Sequence, residues 1–260
     1  MSSSTPLKPV RCYFVILFDG RAGSSYLVSL LNQHKNILCH HEIFAYKEDK
    51  ERDILQNFLN VNFVFPRTNL DSEISQDTFI SGREKLEAIG FKAKLCDIDE
   101  LDSFAEFLKA NSVKVIHLYR RNVIKSLVST FNGQRLSKEK NGLWNIPSND
   151  STELGQISID PQEFRNWFHG RILCERVTQD FVEDLPLDVL RISYEDLFCQ
   201  HEVSTKRILN FLGFKSVKLR GKFKKITSDK LSEAVSNLDA LMTLFPKDDR
   251  ILRYFRKYFK

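Results

Sequence analysis

The chain has 260 residues, of which 42% are hydrophobic and 28% are charged, with 10 Gly and 7 Pro. This composition excludes bulk disorder and a fibrous repeat, and the length predicts one domain over residues 1–260. The formal net charge of +5 favours an anionic partner without deciding between a small molecule and nucleic acid.

The cysteines and the early apolar run predict the compartment. The five cysteines are odd in number, are scattered, and form no C-x-x-C pair. This argues against a disulfide framework and a zinc site, so we expect a reducing compartment and no metal centre. The apolar run of residues 13–18 is shorter than the about 20 residues that a membrane helix needs, and no signal-peptide pattern precedes it. We therefore expect a cytoplasmic protein without a membrane span.

The first predicted elements are a strand, a glycine loop and a helix. Residues 1–9, rich in Ser and Pro, are expected to be flexible. Residues 12–18 form a continuous apolar, β-rich run, which predicts a buried strand of a parallel sheet. The glycine loop of residues 19–25 follows, and apolar residues then recur at helical spacing over 26–31. This order predicts an anion-binding turn, with a tight turn that binds no ligand as the alternative.

Further strands and helices alternate along the rest of the chain. The predicted units are a strand at 90–95 with a helix at 98–109, a strand at 113–119 with a helix through Phe131, and a strand at 187–194 with helix signals through Leu212. This alternation predicts an α/β fold with a central, mostly parallel sheet flanked by helices. A helix over 161–181 has core spacing, which predicts that Trp167 is packed and has no site role.

Two less regular stretches, residues 66–89 and 136–160, are too long to be simple connections. We predict that they form much of a substrate pocket. Polar or aromatic groups that could face this pocket are Asn132, Gln134, Trp144 and Asn145. The basic, aromatic tail of residues 250–260 is predicted to dock as an amphipathic helix rather than to bind nucleic acid or a membrane.

The residue types of the glycine loop suit a phosphate or sulfate group. Gly20 and Gly23 let the backbone approach an anion, Ser24 and Ser25 add hydroxyl donors, and Arg21 adds a permanent charge. The loop does not match the Walker A pattern, because its basic residue precedes the second glycine. An ATP-dependent P-loop kinase is therefore disfavoured but remains the alternative enzyme. A basic nucleic-acid-binding protein ranks last, because the net charge is small and no recognised motif is present.

A second group of polar residues follows the strand predicted at 113–119. Arg121 precedes a helix that begins near Asn122, and Ser129 lies two turns along that helix. Ligands of open α/β sheets bind beyond the carboxyl ends of strands, so Arg121 and the Ser129 hydroxyl could flank one phosphate. A helix-terminal arginine at the surface is the alternative.

Together these motifs resemble the sulfotransferases that use 3′-phosphoadenosine 5′-phosphosulfate (PAPS). The segment Arg21-Ala22-Gly23-Ser24-Ser25 is similar to that family's 5′-phosphosulfate loop, and Arg121 with Ser129 is similar to its 3′-phosphate motif. Residues 192–197, ISYEDL, resemble the Tyr-Glu-Asp-Leu segment near the adenine, which implies that Tyr194 contacts the nucleotide. Arginine rather than lysine at position 21 is typical of the carbohydrate-type and bacterial branch, which includes trehalose and nodulation-factor enzymes.

The resemblance implies a sulfotransferase fold with one P-loop-like domain. It also implies PAPS as the donor, 3′,5′-ADP as the product and no metal. Arg21 would stabilise the leaving oxygen, and the small and hydroxyl residues from Ala22 to Ser25 would hold the 5′-phosphosulfate. Lys225 and Thr227 lie where the family returns a basic loop to the nucleotide, with a solvated charged loop as the alternative. The expected acceptor is a hydroxyl, or an amine, of a small molecule or carbohydrate.

Residues 39–44, CHHEIF, extend this resemblance. The bacterial carbohydrate enzymes similarly place a Glu, an apolar residue and an aromatic residue shortly after the first helix. This implies that Glu42 is the general base that accepts the proton of the acceptor hydroxyl. His40 and His41 are rival bases, and we favour Glu42 over His41. The alternative is that Glu42 only orients the hydroxyl.

Overall fold

The computed structural model describes residues 10–45, 51–59, 86–228 and 230–244. In chain order its strands are β1 (Cys12–Phe18), β2 (Ile37–Glu42), β3 (Ala88–Ala93), β4 (Lys114–Tyr119), β5 (Ile146–Pro147), β6 (Val189–Ser193) and β7 (Phe223–Lys224). Five of them form the central sheet in the order β2-β3-β1-β4-β6, and each neighbouring pair is parallel. A small antiparallel pair joins β5 to β7. The predicted α/β class with a mostly parallel sheet is confirmed.

The helices connect successive strands and cover the sheet. They are α1 (Ser24–Leu31), α2 (Glu51–Leu59), α3 (Leu101–Ala110), α4 (Val123–Glu139), α5 (Pro161–Asp184), α6 (Tyr194–Cys199), α7 (His201–Leu212), α8 (Leu231–Ala234) and α9 (Leu238–Thr243). Asn122, Asp160 and Ser193 each accept a hydrogen bond from a backbone N–H in the first turn of α4, α5 and α6. In contrast, no side chain of the described residues caps α1.

The central strand β1 is apolar on both sides because both faces of the sheet are covered. Phe14 and Ile16 pack into one core cluster together with apolar residues of α1 and α7. Val15 and Leu17 point to the opposite face and join a second cluster with residues of α2 and α3. Alternate residues of a strand face opposite sides, so a strand covered twice is a continuous hydrophobic run.

The boundaries differ from the predicted ones where a local interaction overrides the apolar pattern. Strand β2 was not predicted, because polar side chains follow its two buried residues. The strand predicted at 90–95 runs from Ala88 to Ala93, and the one predicted at 187–194 ends at Ser193, which caps α6. Helix α4 continues to Glu139, so the stretch of 136–160 begins inside a helix. Helix α5 extends to Asp184, and the helix predicted through Leu212 is two helices.

Other expectations fall outside the described part of the chain. Residues 1–9, most of the stretch 66–89 and the tail 250–260 lie outside the described residues. Among the helices that are described, none is long and apolar enough to cross a membrane.

The topology creates a crevice at the carboxyl end of β1. This strand lies between β3 on one side and β4 on the other. The chain crosses from β1 to β2 on the β3 side of the sheet, and it crosses from β3 to β4 on the other side of β1. Ligands bind at such switch points of open α/β sheets. Residues 19–23 emerge there between β1 and α1, and we call them the anion-binding loop after the role that their sequence predicts.

Burial of His117 in β4 predicts a loss of stability in acid. The side chain is buried, and neither ring nitrogen has a hydrogen-bond partner among the described residues. Burial, and then the charge of Arg191, lower its pKa from 6.5 to about 4. An unfolded chain takes up this proton from pH 6.5 downward, so the residue contributes stability above pH 6.5 that is lost as pH falls towards 4. The full loss is about 3 kcal/mol.

Replacing His117 with leucine is expected to remove this part of the pH dependence. Urea unfolding between pH 7 and pH 5 should give a shallower fall in unfolding free energy, by about 1 kcal/mol per pH unit. His169→Gln, at an exposed histidine of α5, is the control and should keep the wild-type slope. Equal slopes for wild type and His117→Leu would contradict the assignment.

Candidate active site

A cavity of about 1020 Å³ lies at the carboxyl edge of the central sheet. Its floor is formed where the strands end, by the anion-binding loop after β1, Glu42 at the end of β2, Lys94 after β3 and Arg120 after β4. Helices α4, α5 and α6, residues 144–145 and residues 223–227 supply further walls. The volume lies at the upper end of the about 300–1,000 Å³ usual for ligand pockets.

The anion-binding loop is shaped by two residues in the left-handed region. Arg21 has φ 64° and Gly23 has φ 86°. Only glycine suits position 23, because an added Cβ would lie 2.9 Å from the Tyr194 ring as well as in a strained conformation. Beyond Gly23, the first turn of α1 presents the buried Ser24 and the half-buried Ser25 to the cavity. Uncapped N–H groups at a helix start favour an anion.

Arg21 turns its guanidinium from the loop across the cavity. Its Nε donates to the Ser129 Oγ at 3.1 Å, and its Nη1 donates to the Trp144 carbonyl at 3.2 Å and to Asn145 Oδ1 at 3.1 Å. Burial, and then the charge of Arg120, lower its pKa to about 10. Arg21 therefore remains a cation at neutral pH, held between the loop and α4.

Glu42, the last residue of β2, is held by two lysines, one within β3 and one just after it. Its Oε1 lies 3.0 Å from the Lys92 Nζ, and its Oε2 lies 2.6 Å from the Lys94 Nζ. Burial alone raises the Glu42 pKa, but the charges of the two lysines outweigh burial and lower it to about 2. The carboxylate is thus fully ionised at neutral pH.

Lys92 links this carboxylate to the anion-binding side of the cavity. The side chain is fully buried, and its Nζ also donates to the Ser25 Oγ at 3.1 Å. A buried ammonium needs such partners, because leaving it unpaired costs several kcal/mol. One cation therefore joins the first turn of α1 to the carboxylate that sequence analysis favoured as a base.

A bulge in β2 separates Glu42 from the histidines before it. His40 pairs with Phe91 and Glu42 with Lys92, so His41 is the extra residue. Bulges re-aim side chains next to active sites. Burial, and then Lys92, lower the His41 pKa to about 3, and His41 is not among the described residues that line the cavity. The structure places Glu42 in the cavity wall, and places neither His40 nor His41 there.

The two arginines after β4 have different surroundings. Arg120 is buried, lines the cavity, lies over the Tyr194 ring at 4.2 Å and donates to the Arg21 carbonyl at 3.1 Å. Arg121 is exposed, pairs with Asp196 and donates to the Ser193 Oγ at 2.6 Å. Ser129 lines the cavity, whereas Arg121 is not among the described residues that do so.

Of the remaining predicted site residues, three line the cavity and one, Ala22, lies behind the loop. Tyr194, Lys225 and Thr227 line the cavity, and Thr227 accepts a hydrogen bond from Asn132 Nδ2 at 3.2 Å. Ala22 is buried in the core, and its N–H donates to the Asp19 carbonyl at 3.1 Å, so it supports the loop from behind.

Several residues that line the cavity were not predicted from the sequence. Trp167 was predicted to be packed, yet it is 39% exposed and lines the cavity, because Phe164 and Phe168 take the core-facing positions of α5. Lys92, Lys94, Arg120 and Arg171 also line it. Lys92 had a usable signal, since a lysine within an otherwise apolar strand must be buried against a partner. The others depend on how strands and helices pack.

Comparisons with known proteins give consistent matches. A family model described as a sulfotransferase domain matches residues 20–248. Nodulation protein H of Rhizobium tropici is 29% identical over 203 residues, which cover 77% of this chain and 75% of that protein. The sulfotransferase domain of the Synechococcus PCC 7002 olefin synthase is 14% identical, covers 83% of this chain and 78% of its own, and has a TM-score of 0.43.

A sulfotransferase from Alicyclobacillus acidocaldarius is 15% identical, with 94% of this chain and 100% of that chain covered and a TM-score of 0.44. The span matched by the family model contains both arginines after β4, the anion-binding loop from Gly20 onward, and Glu42 with its lysines.

Proposed function

Because the chain belongs to the sulfotransferase domain family and is a transferase of sulfuryl groups, we propose that its donor is PAPS and its acceptor a hydroxyl. One observation carries the proposal. Lys92 hydrogen-bonds Ser25 in the first turn of α1 and also Glu42, so an anion-binding element and an ionised carboxylate share one cation. The acceptor is proposed to be a small molecule or a carbohydrate, and an amine is the second kind of acceptor group.

The donor end of the cavity has the charge and donors that a phosphosulfate requires. Ser24, Ser25 and the N–H groups at the start of α1 would hold the 5′-phosphate, and Arg21 would stabilise the oxygen that leaves. Tyr194 lies against Gly23 and beneath Arg120, which supports a place for the adenosine on this side. Lys225 and Thr227 are proposed as further contacts of the nucleotide.

The 3′-phosphate is proposed to bind Arg121 and Ser129. Ser129 already accepts from Arg21, and Arg121 would exchange Asp196 for a phosphate oxygen while it keeps its contact with Ser193. Arg120 precedes Arg121 in the chain and lines the cavity, so it is the alternative guanidinium for this phosphate.

Glu42 is proposed to accept the proton of the acceptor hydroxyl. A carboxylate with a pKa of about 2 is a weak base, but a hydroxyl becomes strongly acidic as its oxygen bonds to sulfur. An anion bound near Lys92 and Lys94 would also offset part of their positive charge and so raise the Glu42 pKa. Trp144 and Asn145 lie in the same cavity and are proposed to face the acceptor.

Catalysis is then mainly positioning and charge stabilisation, as in phosphoryl transfer. The bound donor supplies the sulfuryl group, and 3′,5′-ADP is the other product. Arg21 stabilises charge on the leaving side, Glu42 takes the proton on the attacking side, and Lys92 fixes the carboxylate relative to Ser25.

Stabilisation by 3′,5′-ADP tests the proposed donor. At about 100 times its dissociation constant the nucleotide should raise the unfolding midpoint by about 5–10 °C, because it binds only the folded chain. Differential scanning fluorimetry measures this shift. ATP with Mg²⁺ and 5′-AMP, which lacks only the 3′-phosphate, are the matched ligands, and a larger shift with ATP would favour a kinase and contradict the proposal.

Two arginine variants then locate the 3′-phosphate. Arg121→Met is expected to lose most of the shift given by 3′,5′-ADP but to keep the smaller shift given by 5′-AMP. If Arg120→Met does this instead while Arg121→Met behaves like wild type, the phosphate belongs to Arg120.

A cytoplasmic location is proposed as well. All five cysteines are free thiols, and two of them, Cys12 and Cys39, are buried. Free thiols without disulfides are typical of a reducing compartment.

A further inference from the structure

Arg171 reaches from α5 to the anion-binding loop. Its Nη1 donates to the Gly20 carbonyl at 2.6 Å, and its Nη2 donates to the Thr130 Oγ1 on α4 at 3.4 Å. The guanidinium packs directly on the loop backbone, since a Cβ added to Gly20 would lie 3.0 Å from Nη2. One side chain thus connects two helices to the turn after β1.

The carbonyls of the loop are held from outside. Ser126 Oγ also donates to the Gly20 carbonyl, at 3.0 Å, and Arg120 Nη1 donates to the next carbonyl, that of Arg21. Because a trans peptide is planar, fixing the Gly20 carbonyl also fixes the N–H of Arg21, which points the opposite way. The direction of this loop N–H therefore depends on donors from α4 and α5.

Two buried acidic groups, Asp19 and Glu175, interact electrostatically with Arg171. Burial raises the pKa of Asp19, and burial together with the Asp19 charge raises that of Glu175 to about 8, while the charge of Arg171 lowers both. The Thr178 Oγ1, also on α5, donates to Asp19 Oδ1 at 3.3 Å. Helix α5 is thus fastened to the end of β1 at two successive residues, Asp19 and Gly20.

We propose that Arg171 is a positioning residue for the donor. It holds the Gly20 carbonyl so that the anion-binding loop keeps the shape that binds the 5′-phosphosulfate end, and it acts through Gly20. This inference rests on the proposed function, because it concerns the same donor site. It assigns a role to α5, the helix to which the sequence pattern gives only core spacing.

The test compares Arg171→Met with Arg176→Met, which removes an exposed arginine of the same helix. The first is expected to weaken binding of 3′,5′-ADP about tenfold or more, since a charge-assisted hydrogen bond to the loop is lost. Hydrogen exchange of the amides of residues 19–25 should also quicken in Arg171→Met and stay unchanged in Arg176→Met. Arg171→Lys keeps one charged donor, so its affinity for 3′,5′-ADP and its loop exchange should lie between those of Arg171→Met and the wild type.

A purely structural role predicts a different result. A folded Arg171→Met with wild-type affinity for 3′,5′-ADP and wild-type exchange in the loop would overturn the proposal. If that variant does not fold, Ser126→Ala removes the other donor to the Gly20 carbonyl, and wild-type affinity in both it and Arg171→Lys would overturn it equally. If the wild type fails to bind 3′,5′-ADP, the proposed donor is overturned, while exchange in the loop still decides whether Arg171 holds it.

Discussion

Replacing Arg21 with methionine is expected to lower the kcat of sulfuryl transfer by about 10²–10³-fold, the usual cost of removing one preorganised donor from developing charge. Arg21 is the cation that begins in the anion-binding loop and extends to Ser129 on α4. Its charge matters most when the leaving oxygen becomes negative, so kcat should fall far more than the affinity for 3′,5′-ADP. Labelled PAPS, with the best acceptor from a screen of sugars and small alcohols, measures kcat, and calorimetry measures the affinity.

Two variants separate charge from packing at this position. Arg21→Lys keeps the charge but cannot reach the Ser129 Oγ and the Trp144 carbonyl together, so an intermediate rate is expected. Asn145→Ala removes one partner of Arg21 and a proposed acceptor contact but leaves the Arg21 charge in place, so kcat should fall much less than in Arg21→Met. An Arg21→Met variant with near wild-type kcat would exclude Arg21 from stabilising the leaving group.

The fold was predictable from the sequence where the apolar pattern of a segment by itself identifies a strand or helix. Strand β1 is apolar throughout because both faces of the sheet are covered, and that pattern is visible in the chain. Strand β2 was missed because it is an edge strand with a bulge, and its second half carries polar side chains, of which Glu42 lines the cavity. Cap residues such as Ser193 set boundaries that apolar spacing cannot reveal.

The candidate site was predictable where it is contiguous in sequence. Arg21, Ser24 and Ser25 lie together because a strand, a glycine loop and a helix follow one another. Lys92 meets Glu42 only through the register of β2 on β3, which the bulge at His41 sets. Arg171 lies more than a hundred residues from the loop it contacts, and only the docking of α5 brings it there.

The Glu42→Gln variant is expected to lose about 10²–10⁴-fold in kcat, the range for removal of a general base. The amide keeps the shape of the side chain and can still accept a hydrogen bond from Lys94, but it cannot take a proton from the acceptor. It also leaves the buried Lys92 without its counter-charge, which is expected to lower the unfolding free energy by about 3–5 kcal/mol. The rate must therefore be measured on protein shown to be folded by circular dichroism.

A double variant separates the two effects. Glu42→Gln combined with Lys92→Met removes the orphaned ammonium, so stability should recover while the rate stays low.

Lys94→Met tests the proton directly, because it removes one of the two charges that lower the Glu42 pKa and leaves the pair with Lys92 intact. The Glu42 pKa then rises towards its ordinary value, and the acid limb of the pH dependence of kcat should move to higher pH. If Glu42 only orients the hydroxyl, Glu42→Gln will keep most of the turnover, and it is then removed as the base.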